Sequence, residues 1–202
     1  MPQPNEPSSG LELLRPVAVL DACVLVPRLL RDLLLTCADM RAFRPVWQDE
    51  IENEMIRNQV RRAVEKGRDK DAAQDEAEAA QAQMNRAFPG ARLPTELWVP
   101  LVARQTNDTK DRHVLAAAAG SNATHLVTLN LRDFPSWSLS RQLSVCHPDR
   151  FLTELLATHR LDVVAGVTEV ANRMKTSPLA LGQRLAASQY VPGFGELLRS
   201  AL

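Results

Sequence analysis

Short apolar runs alternate along this chain with longer stretches of helical periodicity. Val17-Ala18-Val19-Leu20 is a continuous apolar run that ends on Asp21 and resumes as Ala22-Cys23-Val24-Leu25-Val26. An unbroken run of this kind is the pattern of a buried parallel strand. Pro27 then opens a helix whose stripe is Leu29, Leu30, Leu33, Leu34 and Leu35. From Asp49 to Arg86 the chain is rich in Ala, Glu, Gln, Arg and Lys, which favours helix throughout. Gly67 divides that stretch into two helices, and Pro89-Gly90 ends the second. In the first, Ile51 and Met55 mark the inner face, Glu54 leans toward the core edge and Glu52 points away. The second, Asp71 to Phe88, has few large apolar residues and reads as the solvated arm of a hairpin.

Glu96 to Leu101 reads as a strand with Pro100 at its edge. A polar cap at Asn107–His113 leads into the Ala-rich helix Val114–Ala119, which Gly120 and Asn122 stop. Leu126 to Leu129 follows as a short buried strand, and Leu143–Cys146 is the last strand. Pro148 opens a helical tail to Leu202, broken at Pro178 and at Pro192-Gly193. Strands alternating with helices predict an α/β fold around a central parallel sheet. Three segments emerge: a flexible N-terminal tail (1–14), an α/β domain (15–148) and a C-terminal helical extension (149–202).

Composition narrows the chemistry. The 202 residues are 45% hydrophobic but only 4% aromatic, so the core must be built of Leu, Val and Ala. Lys plus Arg and Asp plus Glu number 24 each. That balance removes the overall basic excess of a non-specific nucleic-acid binder, though not a local basic patch. Cys23, Cys37 and Cys146 are too scattered for a disulfide framework or a zinc knuckle and read as buried, reduced thiols. The polar, Pro-rich start lacks the apolar stretch of a signal peptide. No apolar run approaches the roughly 20 residues of a membrane span. The expectation is a soluble, cytoplasmic protein with no membrane association.

Candidate chemistry lies at the ends of the predicted strands. Asp21 stands between two apolar runs, where a lone carboxylate is costly without a partner or a metal. Asn130 and Asp133 follow the strand at Leu126–Leu129, and in open α/β sheets ligands bind beyond the strands' carboxyl ends. Asp111 opens the helix that feeds the same strand, and Glu54 adds a fourth acid. No glycine-rich turn links the first strand to its helix, as a nucleotide site would need. A phosphatase's second Asp is replaced by Cys23. Each acid also has an ordinary reading: Asp108 and Asp111 as helix caps, Asp133 as a turn residue, Glu54 as a surface charge. His113 reads as a residue of the helix surface.

Four segments taken in order resemble the successive motifs of the PIN-domain ribonucleases. They are Val19–Leu25, Trp47–Glu54, Asp108–Ala118 and Val127–Phe134. Within that family the pattern is most similar to the VapC-type toxins of bacterial toxin–antitoxin pairs. The resemblance spans about Val17 to Pro148, and the tail resembles a helical extension found in one branch. It implies a PIN-like sheet in the α/β domain and an acidic quartet of Asp21, Glu54, Asp111 and Asp133. Thr128 and Asn130 match its supporting polar positions. It further implies Mg²⁺ or Mn²⁺ held by those carboxylates, and cleavage of single-stranded RNA. Hard oxygen ligands suit either ion, which can activate water and stabilise charge at phosphorus. Gln48 departs from the family, where Ser or Thr often opens the second helix; it leaves Glu50 as the fallback ligand.

The leading expectation is therefore a metal-dependent endoribonuclease acting as a toxin. The alternatives are a PIN-fold RNA-processing nuclease outside any toxin pair, and a non-catalytic PIN-fold binding module. Arg28, Arg31, Arg57 and Arg61, with Arg62, would form a basic rim for RNA phosphates, or else be solvated surface charges. The tail's apolar positions, Leu152, Leu155, Leu156, Val163, Val164, Val167, Leu179, Leu181 and Leu185 among them, must be covered. The domain itself, an antitoxin helix or a second copy in a homodimer would serve.

Overall fold

Four short strands, β1 (Val17–Leu20), β2 (Arg44–Val46), β3 (His125–Val127) and β4 (Ser144–Cys146), pair in parallel in the order β2-β1-β3-β4. The computed structural model describes residues 15–135 and 142–202. The N-terminal segment 1–14, expected to be a flexible tail, lies outside the described residues. Val19 is opposite Val46 on one side and Leu126 on the other, and Leu126 in turn is opposite Val145. The chain enters at β1, steps out to β2, then crosses back to β3 on β1's other flank. Connections leaving β1 and β3 therefore diverge, and the crevice this opens at their carboxyl ends is the natural ligand position of such sheets.

Asp21 ends β1, and the apolar residues beyond it are not more strand. They coil into α1 (Ala22–Leu25), and Pro27 starts α2 (Arg28–Asp39), whose Leu30, Leu33, Leu34 and Cys37 are buried. After β2, Gln48 caps α3 (Asp49–Glu65): its Oε1 accepts hydrogen bonds from the Glu50 and Ile51 N–H groups. The departure from Ser or Thr thus leaves the helix start capped. Gly67, at φ +77°, turns α3 into α4 (Lys70–Ala87), which buries only Ala73, Ala77 and Met84.

Two expectations need correction here. Glu96–Leu101 is not a strand; Pro94 precedes helix α5 (Thr95–Val102), which holds Pro100 and buries Trp98. The four-stranded sheet is completed by other segments, and a short run of alternating character can fold either way. Glu52 does not point away: it is fully buried, and its Oε2 accepts from Arg92 Nε at 3.1 Å and Gln81 Nε2 at 3.0 Å. α4 and the chain after it cover that second face of α3.

A one-turn 3₁₀ helix (Thr109–Asp111) leads into α6 (Arg112–Gly120), and another (Leu131–Asp133) follows β3. The tail forms α7 (Pro148–Thr158), α8 (Arg160–Arg173), α9 (Pro178–Ala186) and α10 (Pro192–Ala201), three of them begun by proline at N1. Its Phe151, Val163, Val167, Leu181, Leu185 and Phe194 join the same buried cluster as the sheet and α2. Phe151 meets Phe43 edge-on at 5.0 Å. α8 lies so close to α2 that a Cβ on Gly166 would stand 3.1 Å from the Cα and Sγ of Cys37. Among the tail's expected apolar positions Leu161 and Leu179 are exposed and Val164 is only partly buried.

Candidate active site

Asp21 is held in the crevice by its neighbours across the switch point. Its backbone N–H donates to Val127 C=O at 3.1 Å. Its Oδ2 accepts from Thr128 Oγ1 at 2.6 Å and from Cys23 Sγ at 3.0 Å. Thr128 is itself fixed, since Oγ1 accepts from Asn130 N–H at 3.0 Å, and Cys23 Sγ accepts from Leu129 N–H at 3.1 Å. Burial, then the Asp21 charge, drive the Cys23 thiol far above the ordinary thiol range, consistent with an S–H that donates. Both side-chain bonds fall on Oδ2, so Oδ1 is committed to neither.

The other acids arrive from separate elements. Glu54 is on the second turn of α3, Asp111 at the junction of the 3₁₀ turn and α6, and Asp133 in the turn after β3. Burial, then Asp21, raise the Glu54 carboxyl to about 7, with Arg57 opposing and Asp111 and Glu50 adding. Burial, then Asp133, raise Asp111 to about 6, with Lys110 opposing and Asp21 adding. Lys110 Nζ sits 3.7 Å from Asp111 Oδ2 and 4.0 Å from Asp133 Oδ2. Asn130 is exposed and contributes its backbone to the turn, its C=O accepting from Asp133 N–H.

His113 is buried, contrary to the surface position expected of it, because α6 is enclosed from His113 through Ala118. Its Nε2 lies 3.8 Å from Glu54 Oε2, and burial lowers its pKa. Glu50, the fallback ligand, is 2.8 Å from Arg57 Nη2, and Glu54 is 3.9 Å from the same atom. Sequence reasoning thus missed three neighbours of the acids: Cys23, His113 and Lys110. Position alone could have raised the first, since Cys23 lies two residues past Asp21. The arginines divide. Arg57 and Arg61 follow Glu54 on one face of α3, whereas Arg28 and Arg31 stand at the start of α2 and line a separate groove. Asp108 takes the ordinary role weighed for it and caps its turn, accepting from Lys110 N–H at 3.1 Å.

These residues suit a hard divalent cation by donor chemistry. Every acid offers oxygen, Asp111 Oδ2 is buried without a hydrogen bond, and burial first, then neighbouring carboxylates, raise Glu54 and Asp111. As they stand, no three Asp, Glu, His or Cys side chains among the described residues close into a metal cage. An ion such as Mg²⁺ that retains most of its water needs only one or two carboxylates.

Comparison with known proteins agrees with this layout. A family model described as PIN domain matches residues 17–132, more than half the chain. A curated Mycobacterium tuberculosis protein named "Putative ribonuclease VapC50" is 47% identical over 57 residues, 28% of this chain and 34% of that protein. The chain thus aligns with about a third of the length of the curated relative it matches. No solved structure matches. The matched span holds β1, β2 and β3 with Asp21, Glu54 and Asp111 and stops just short of Asp133, and the chain belongs to the PIN domain family.

Proposed function

We propose that this protein is a metal-dependent endoribonuclease, the toxin of a toxin–antitoxin pair, acting on RNA in the cytoplasm. The observation that carries the reading is the electrostatic coupling of carboxylates from four elements at one crevice, with Glu54 at about 7 and Asp111 at about 6. In this reading Asp21, Glu54, Asp111 and Asp133 hold Mg²⁺ or Mn²⁺. When bound, such an ion activates water and offsets the charge that develops on the scissile phosphate. Asp21 supplies a carboxylate whose orientation is fixed by Thr128 and Cys23 before any ligand arrives. Lys110, beside Asp111 and Asp133, offsets part of the acidic charge and can meet a phosphate oxygen. Asn130 keeps the turn that carries Asp133. The similarity to a protein named as a VapC ribonuclease supports both the RNA substrate and a cognate antitoxin.

The test is RNA cleavage by the purified chain with Mg²⁺, with Mn²⁺ and with chelator, beside Asp21→Asn. Metal-dependent internal cuts that vanish in Asp21→Asn are expected. Cleavage unaffected by chelator, or by loss of Asp21, would overturn the assignment. Co-expression with a candidate antitoxin from any small reading frame adjoining the gene should restore growth after induction; the lack of any such rescuing frame would remove the toxin role while leaving the nuclease.

A further inference from the structure

A groove of about 630 Å³ lies between the start of α2, the second half of α3 and α4. Its lining brings together Arg28, Arg31, Arg62, Lys66 and Arg68, with Tyr190 of the loop before α10. Two acids, Asp32 and Glu76, share the lining, and both are engaged locally: Glu76 by Arg68 at 2.5 Å, Asp32 by Arg28 at 3.7 Å. The ion pairs of α3 involve Arg57 and Arg61 on its other face, leaving Arg62 and Lys66 without one among the described residues. Arg31 is the telling side chain. It is only 11% exposed, donates to Leu25 C=O at 3.1 Å, and lies 4.0 Å from Asp32. A guanidinium so withdrawn from water, whose one carboxylate neighbour is 4.0 Å away and shared with Arg28, favours a further anion.

Val26 and Pro27, which follow directly after the short helix that Asp21 caps, line this groove. Building on the nuclease reading above, we propose that single-stranded RNA runs from the carboxylate crevice into this groove. Its phosphates meet Arg31, Arg62 and Lys66, and a base stacks on Tyr190. The small alanines of α4 leave room for a backbone, and a basic groove with an aromatic in its wall is how proteins hold single strands. The RNA track therefore follows the α2–α3–α4 groove rather than the face carrying Arg57 and Arg61.

Adjacent residues of α3 make the test direct. In an Asp21→Asn background that cannot cut, Arg62→Glu and Arg61→Glu change net charge equally but on different faces. Binding of a fluorescent single-stranded RNA is measured by anisotropy across a salt series, with thermal melts to show that each variant is folded. Arg62→Glu should weaken binding roughly tenfold and make the salt slope shallower by about 0.7 per lost phosphate contact. Arg61→Glu should do neither, and Tyr190→Ala should weaken binding with the salt slope unchanged. Equal effects of the two reversals, or a larger one from Arg61→Glu, would overturn the proposal. So would displacement of RNA by polyglutamate at equal charge concentration together with no effect of Tyr190→Ala, which would mark the groove as a dock for acidic protein. Hydrolysis of bis(p-nitrophenyl) phosphate by the wild type separates this from the nuclease reading: without it, RNA held in the groove would leave the groove standing and the catalysis refuted.

Discussion

Thr128 donates a 2.6 Å hydrogen bond to Asp21 Oδ2, and through it the end of β3 fixes the carboxylate at the end of β1. Partners that orient a metal-binding group typically matter by about 10–100-fold in affinity or activity. Thr128→Val keeps the shape and removes the donor, so Mn²⁺ affinity by calorimetry and RNA cleavage should fall together by about that factor. Thr128→Ser should recover most of both. Unchanged Mn²⁺ binding in the Val variant would separate Asp21 from the metal.

The clustered acids set a pH dependence. Glu54 and Asp111 are raised to about 7 and about 6 in the fold, so the folded chain binds more protons than the unfolded one from about pH 4 upward. Metal-free stability from these groups is full below the unfolded carboxylate values and is lost as pH rises through about 6 and 7. Melting temperature without metal should decline across that window and level off above it. Glu54→Gln should flatten the decline and melt higher than wild type at pH 8; a steeper decline would refute the coupling.

Arg92 guards the one fully buried acid of α3. Arg92→Met leaves Glu52 with Gln81 as its remaining donor and should cost roughly 1.5–3 kcal/mol by denaturant titration. Metal affinity should stay at the wild-type value, because Glu52 is on a different side of α3 from Glu54.

The extension makes its own prediction. A Cβ on Gly195 would fall 2.2 Å from Ala186 N, so Gly195→Ala must push α9 and α10 apart, at a cost of about 1–3 kcal/mol. Truncation after Arg150 would uncover Cys37 and Phe43 and should give insoluble protein by sedimentation. A soluble, cleaving fragment that no longer binds its antitoxin would instead assign those helices to the partner.

Much of this arrangement could be read from local pattern. β1, the Leu stripe of α2, the break at Gly67 and the helices begun at Pro148, Pro178 and Pro192 each carry their signal within a few residues. What escaped depends on neighbours distant in sequence. Glu52 faces outward if α3 is considered alone, and only Arg92 and Gln81 turn that face inward. His113 would be a surface residue on a one-sided helix, but α6 is enclosed over that stretch. Pro100 suggested a strand edge, and nothing within Glu96–Leu101 reveals that the sheet has its four strands elsewhere. The order of the acids along the chain is legible in the sequence; the hydrogen bonds of Cys23 are not.

The strand order also governs when the acidic crevice can form. Asp21 and Asp133 are far apart along the chain, and they come together only once β3 has paired beside β1. Such long-range pairing is slow and comes late in folding. No nascent chain that lacks β3 can assemble the crevice, so whatever chemistry the crevice performs begins only after that strand has emerged.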